Sequence, residues 1–448
     1  MVLDMTTGSP IRRILKFFIP VVLGNLLQQL YGMADSVIVS RCIGVEAFAG
    51  VSATGSLNFL ILGFALGMCS GFAIPVSQEF GAGHPTEMRR NFAGGLYAAL
   101  LIAVVMAVVT ALLTPQILRL VKTPEDIFEY SLTYIRIIFI GIPATVLYNL
   151  LSGVMRAVGD GRTPLIMLLI SSLLNVVLDL FCILVLHMGI AGAAWATIFS
   201  QMVSGALCIY VIFKKTDVLK IHGEEWRVTR KIISRLLGYG LPMGLQFSIT
   251  AIGSTILQSA VNTLGSGAVT AIGAGSKVQF FFTTPIDAVG VTMATYCGQN
   301  LGARKIDRVR KGVRQTTILM GGYSVVAFGL QMLLGRYMAM LFLDASEVEI
   351  LGNVVIYLNT VVAFSFLLVL VLIYRNAIQG LGYSRVAMLA GLLELVGRTL
   401  VALVLAKYTG FQGICFAHPA AWLCADFLLV PLYLHIVHKY EKTMPAEA

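Results

Sequence analysis

The sequence predicts an all-α polytopic membrane protein of twelve transmembrane helices in two pseudo-symmetric six-helix bundles. Composition, the spacing of apolar runs and an internal repeat carry that prediction. Of 448 residues, 58% are hydrophobic and 12% charged, whereas a soluble domain carries about 25% charged residues. Disorder is excluded by the same balance. A spanning helix takes about 20 mostly apolar residues, so this apolar stock fills on the order of a dozen spans.

The apolar runs fall at 14–40, 48–78, 91–114, 127–155, 163–187, 189–213, 232–262, 267–298, 313–335, 350–378, 386–406 and 411–437, separated by charged or Gly/Pro punctuation. The first contains Pro20, Asn25, Gln28 and Gln29. A cleaved signal would have a purer apolar core, so this run is read as a retained span. If the N-terminus is cytoplasmic, 24 of the 32 Lys and Arg fall in inside segments and 5 in outside gaps. Both termini are therefore expected in the cytoplasm.

The net charge of +10 raises the question of nucleic acid. Its basic residues sit in short gaps between apolar runs, not among aromatics on one face, so no nucleic-acid partner is expected. The seven cysteines show no CxxC spacing and no His partner of metal-site type, which argues against a zinc site or a disulfide framework.

Sliding the halves by about 221 residues reveals the repeat. Gly44-Val-Glu-Ala-Phe-Ala-Gly-Val lies over Gly265-Ser-Gly-Ala-Val-Thr-Ala-Ile, Gln78-Glu-Phe-Gly over Gln299-Asn-Leu-Gly, and Gly189-Ile-Ala-Gly over Gly410-Phe-Gln-Gly. Six spans per repeat is an even number, so both halves enter the membrane from one side. The expected domains are an N-terminal lobe (1–213), a cytoplasmic linker (214–231) and a C-terminal lobe (232–448). Two such lobes suggest a cavity that opens alternately to each side. A duplicated structural bundle is the bland alternative. Pro20, Pro143, Pro242 and Pro285 interrupt spans and permit bending.

An acid in mid-bilayer costs roughly 2.5–3.5 kcal/mol, so each one needs a partner or a purpose. Asp35, Asp179, Asp287, Glu394 and Asp426 qualify. Asn175 and Asp179 are spaced i, i+4 on one helix face, with Ser171 a turn earlier. Counted at 1.5 Å per residue from the outer span ends, Asp35, Asp179 and Thr197 all reach a layer about 9–12 Å below the outer face. Two carboxylates, an amide and a hydroxyl suit a hard monovalent cation or a shared proton. Helix-packing glue is the alternative for Asn175 and Thr197.

In the second half, Leu174 to Asp179 lies over Leu393 to Arg398, placing an Arg where the first half has a buried Asp. Glu394 and Arg398, also i, i+4, can pair on their own helix, so the second half is expected to carry a built-in cation where the first half accepts a mobile one; a purely structural ion pair is the alternative. Asp287 and Asp426 are candidates to line the cavity and attract positive cargo. Gln28, seven residues before Asp35, joins Tyr31, Met33, Phe64 and Met68 as a candidate cavity surface, since Met and aromatic side chains repack around varied ligands. No HExxH, GxSxG or Walker-type run is present, so no enzyme and no organic cofactor is expected. Transport would draw on an ion gradient.

These residues resemble the bacterial branch of the multidrug and toxic compound extrusion (MATE) family. The likeness runs over nearly the whole chain: Leu26 to Ser36 (Leu-Leu-Gln-Gln-Leu-Tyr-Gly-Met-Ala-Asp-Ser), Gln78 to Gly83, Gly189 to Thr197, Gln379 to Gly382, and Leu393 to Arg398. The resemblance implies a V-shaped pair of six-helix lobes in the bacterial inner membrane. It also implies export of cationic amphiphilic compounds in exchange for Na⁺ or H⁺. The family's first-lobe cation ligands map onto Asp35, Asn175, Asp179 and Thr197. Some members carry an acid on the seventh helix, but Leu245 to Leu257 has none.

Lipid-linked oligosaccharide flippases share the superfamily look and are the nearest alternative. Their cavities need several cations facing pyrophosphate, whereas the buried ionisable residues here are five acids to three bases. A membrane-embedded enzyme is the more distant alternative. Small organic cations and the lipid bilayer are the expected partners, with the chain a monomer.

Overall fold

The computed structural model describes residues 2–344 and 346–444, and among them every regular element is helical. The first half contains α1 (Pro10–Cys42), α2 (Val45–Ala53), α3 (Gly55–Gly81), α4 (Pro85–Leu120), α5 (Glu125–Ile140), α6 (Ile142–Ala157), α7 (Arg162–Leu180) and α8 (Ile190–Lys215). The second half contains α9 (Arg230–Asn262), α10 (Ser266–Gly302), α11 (Ile306–Ala339), α12 (Val348–Ala363), α13 (Ser365–Gly380), α14 (Ser384–Leu400), α15 (Ala406–Thr409), α16 (Phe411–Cys415) and α17 (Ala417–Thr443).

Among the described residues nine helical stretches are long and apolar enough to cross a membrane, and α5–α6 and α12–α13 supply two more as bent pairs. The expected span over 267–298 is α10, which is long enough at 37 residues but carries Lys277 and Asp287 in its interior. The outward faces are apolar, as lipid contact requires: Leu101, Val105 and Leu112 on α4, and Val325, Val326 and Leu333 on α11, are all exposed.

The bends fall where few of the expected prolines lie. The α5–α6 pair turns by 49° and α12–α13 by 45°, at Gly141 and Phe364. Pro143 opens α6, where its missing N–H costs nothing. Pro20, Pro242 and Pro285 lie inside unbroken helices, which packing in the membrane tolerates.

The repeat is written in the backbone. Gly44 and Gly265 precede α2 and α10 with φ of 131° and 93°. Gly189 and Gly410 precede α8 and α16 with φ of 58° and 59°. A side chain at these φ values is strained, which accounts for glycine at both copies. Beyond α7 and α14 the chain runs through one π-helical turn each, Phe181–Val185 and Val401–Leu405.

The chain divides into two compact units, but not at the linker. The first comprises Met1–Asp4 and Ile19–Gly244, the second Met5–Phe18 and Leu245–Ala448. The first half of α9 belongs to the first unit because it packs closely there. A Cβ on Gly71 would lie 2.6 Å from Gly240 Cα, and Leu236 is buried in the core with Met68, Phe72, Phe92 and Leu150. The segment 214–231 is folded onto α4 of the same unit. Leu219 and Ile221 are buried, and Trp226 lies against Tyr97 with ring centroids 6.0 Å apart. Arg89 on α4 donates from Nε to Val218 O at 2.9 Å and from Nη1 to Glu225 Oε1 at 3.1 Å.

Within the second unit α10 packs on α12 and α13, and α17 on α13 and α14. Met5 N–H donates to Gln299 Oε1 at 3.0 Å, and the Arg308 guanidinium donates to Gly8 O at 2.7 Å and Met5 O at 3.0 Å. Ile14 and Phe17, at the start of α1, are fully buried in this unit.

Candidate ion-coupling site

Three helices of the first unit bring together the four residues expected to hold a cation. Asp35 comes from α1, Asn175 and Asp179 from α7, and Thr197 from α8. Exposure is 9% for Asp35 and 0% for both Asn175 and Asp179. The i, i+4 spacing on α7 puts Asn175 and Asp179 on the face that packs against α8. In the Asn175 orientation that satisfies both ends of its amide, Nδ2 donates to Asp179 Oδ2 at 2.8 Å and Oδ1 accepts from the Thr197 backbone N–H at 3.2 Å. The Asp35 and Asp179 carboxyls approach within hydrogen-bonding range.

Two carboxyls can share a hydrogen bond only when one holds a proton, and otherwise a cation must screen them. Asp35 Oδ1 has no partner, and among the described residues neither acid forms an ion pair. An unpaired carboxyl oxygen of Asp35 beside the Asp179 carboxyl, with the Thr197 hydroxyl nearby, is a donor set for a hard monovalent cation or a proton. Just C-terminal to Asp179, α7 widens into the π turn Phe181–Val185, a feature often found at functional sites.

Tyr31 belongs to this cluster. It was expected in an apolar cavity surface, but its hydroxyl donates to Thr197 Oγ1 at 3.4 Å, and Asp35 and Asp179 both act on it electrostatically. Buried Tyr134 on α5 is a further neighbour of both acids that the sequence reading missed. Nothing in its local pattern marks it, because only the packing of α5 on α8 brings it near.

The remaining cavity candidates separate. Gln28 is exposed on the Asp35 face of α1. Met33 is 44% exposed but sits two residues from Asp35, so it points away from the site. Met68 is 0% exposed and corrects the expectation of a cavity wall: it is core, held against Gly240. Phe64 packs against Gly244 and is partly buried in the same core. In the second unit Asp287 is exposed on α10, whereas Asp426 is buried.

The expected pairing of Glu394 with Arg398 is also corrected. Glu394 ion-pairs with Arg375 of α13, and Arg398 Nη1 donates to Thr250 O at 3.4 Å. An i, i+4 pair gains only a few tenths of a kcal/mol on an exposed helix, and here the buried acid lies against the guanidinium of the neighbouring helix instead. Arg375 lies inside the apolar run 350–378; that position was the signal for it.

The MatE family model matches the chain twice, at residues 20–181 and 242–404. The two matches begin 222 residues apart, in step with the repeat. The probable multidrug resistance protein YoeA of Bacillus subtilis is 27% identical over 95% of this chain and 94% of its own length. An FAD transporter of Shewanella oneidensis is 22% identical over 68% of this chain and 69% of its own. A solved outward-facing structure of a multidrug resistance MATE family transporter superposes with TM-score 0.91 at 22% identity, covering 98% of each chain. With both repeats matched and a multi-pass helical fold around a buried acidic cluster, this chain belongs to the MatE family of membrane transporters.

Proposed function

We propose that the protein is a secondary active efflux antiporter, with both termini in the cytoplasm, that exports cationic amphiphilic compounds in exchange for Na⁺ or H⁺ by alternating access. The observation that carries this reading is the convergence of Asp35, Asn175, Asp179 and Thr197 on one buried point. The multidrug resistance relative supports the cargo class. In this reading the ion and the cargo stabilise opposite-facing states.

Energetics constrain the exchange. One charge moved through about 100 mV yields roughly 2.3 kcal/mol, and a tenfold ion gradient gives about 1.4 kcal/mol. Swapping one monovalent cargo cation for one entering cation moves no net charge, so a tenfold ion gradient supports only about tenfold accumulation. Stronger extrusion needs a second entering ion or a neutral cargo.

The test is counterflow of a fluorescent organic cation in proteoliposomes, with Na⁺ and pH gradients imposed one at a time. The reading expects one or both to drive accumulation, and accumulation indifferent to both would end it. The FAD transporter relative supports a second reading, an anionic dinucleotide cargo. Competition of FAD against the organic cation in the same vesicles separates the two.

A further inference from the structure

The second unit buries a charged cluster that the antiport reading does not use. Arg375 on α13, Glu394 and Arg398 on α14 and Asp426 on α17 are all buried. Arg375 is ion-paired with Glu394, and Arg375 and Asp426 act on each other electrostatically. Asp426 is 7% exposed, and neither of its oxygens has a hydrogen-bond partner. Arg375 Nε and Nη2 and Glu394 Oε1 likewise have no hydrogen-bond partner.

A buried carboxylate without a single donor is one of the costliest groups a protein can hold, whereas a hydrogen on one oxygen removes the charge. The neighbouring guanidinium, with Nε and Nη2 both uncommitted to a hydrogen bond, offers the alternative, since it can turn a donor onto Asp426 while staying beside Glu394. Asp426 therefore has two balanced conditions, one with its own hydrogen and one with Arg375 turned onto it. Besides Arg375, α13 supplies Tyr374, whose ring packs on Tyr433, and α14 supplies Glu394 and Arg398. On α17 itself His418 and Tyr433 lie roughly two turns to either side, and α16 contributes Cys415. From α11, Arg310 reaches Glu441, far along α17.

We propose that Asp426 is a second proton-carrying site, separate from Asp35 and Asp179, so that each cycle moves two cations inward for one cargo outward. The proposal rests on the antiport reading. The proton leaves Asp426 Oδ as Arg375 Nε–H turns onto that oxygen, and the cluster goes from one net positive charge to none. Because the partners sit on α13 and α17, which pack together, loss of the proton draws those helices toward each other. A second entering cation also relieves the tenfold ceiling set by one-for-one exchange.

The test measures steady accumulation of a fluorescent organic cation in proteoliposomes clamped at zero voltage with K⁺ and valinomycin. Accumulation is read against the imposed pH difference. Asp426→Asn should lose one tenfold of accumulation per pH unit, and unchanged accumulation per pH unit would overturn the proposal. A second measurement does not depend on transport. The infrared protonated-carboxyl band of the purified protein should lose a component in Asp426→Asn and shift it in Asp426→Glu, which also covers an Asn variant that fails to fold. Bands untouched by these substitutions would overturn it as well. If the wild type accumulates nothing under any gradient, the antiport reading fails, and the infrared band still decides whether Asp426 carries a proton.

Discussion

Replacing Asp179 by Asn keeps its size, leaves the bond to Asn175 Nδ2 an acceptor, and removes one of the two charges that face the site. Asp179 is completely buried and approaches Asp35 within hydrogen-bonding range, so little water screens it. A unit charge about 4 Å from a monovalent cation is worth about 4 kcal/mol at the effective dielectric that suits protein sites. Every 1.4 kcal/mol is tenfold, so ion affinity should fall on the order of a thousandfold. The assay is Na⁺- or pH-driven accumulation of an organic cation in proteoliposomes, with ion-dependent thermal stabilisation in detergent as the binding readout. Asp179→Asn should assemble normally, lose ion-driven accumulation and lose the stabilisation by ion. A well-folded variant whose ion response stays within about threefold of the wild type would refute the reasoning. Asp35→Asn should behave alike, because the two carboxyls act as one coupled pair.

Three further outcomes follow from packing and charge. Gly71→Val places atoms against the backbone of Gly240 and Tyr239 O, 2.6 and 2.7 Å from the first added carbon; backbone cannot yield, so it should cost about 1–3 kcal/mol, read as a lowered unfolding midpoint in detergent. Burial alone would raise the Glu225 carboxyl, but the His222 N–H and Arg89 hold it below the usual glutamate range. A depressed carboxyl gives stability that is present above the unfolded value of about 4.3 and is lost as pH falls through the folded value. The unfolding midpoint of the wild type should therefore drop more between neutral and acid pH than that of Glu225→Gln, which at neutral pH is weaker by about 1–2 kcal/mol. Arg375→Met leaves Glu394 buried and unpaired and should cost about 3–5 kcal/mol, whereas Arg375→Met with Glu394→Met should recover much of it; equal losses in single and double variants would contradict the pairing.

Most of the spans and the grouping of Asp35, Asp179 and Thr197 were legible because each rests on a one-dimensional measure. Apolar run length fixes a span, and a rise of 1.5 Å per residue carries Asp35, Asp179 and Thr197 to a common layer without any tertiary information. Partner choice was not legible. Glu394 and Arg398 are neighbours along a helix, and only the position of α13 reveals that Arg375 takes the acid instead. Met68 shows the same limit: a methionine facing inward reads alike as cavity wall or core until Gly240 is found against it. The division between units was hidden for a related reason. Leu236 and Gly240 follow the polar linker, yet their small or apolar surfaces fit α3 and α4, and no feature of the linker announces that.

The paired π turns at Phe181–Val185 and Val401–Leu405 have a consequence for ancestry. Each follows closely on the residue where the repeats part company, Asp179 in one and Arg398 in the other. A widened turn in both copies is inherited more easily than invented twice, so it predates the duplication. The two halves thus share a widened turn at the very place where their charges differ.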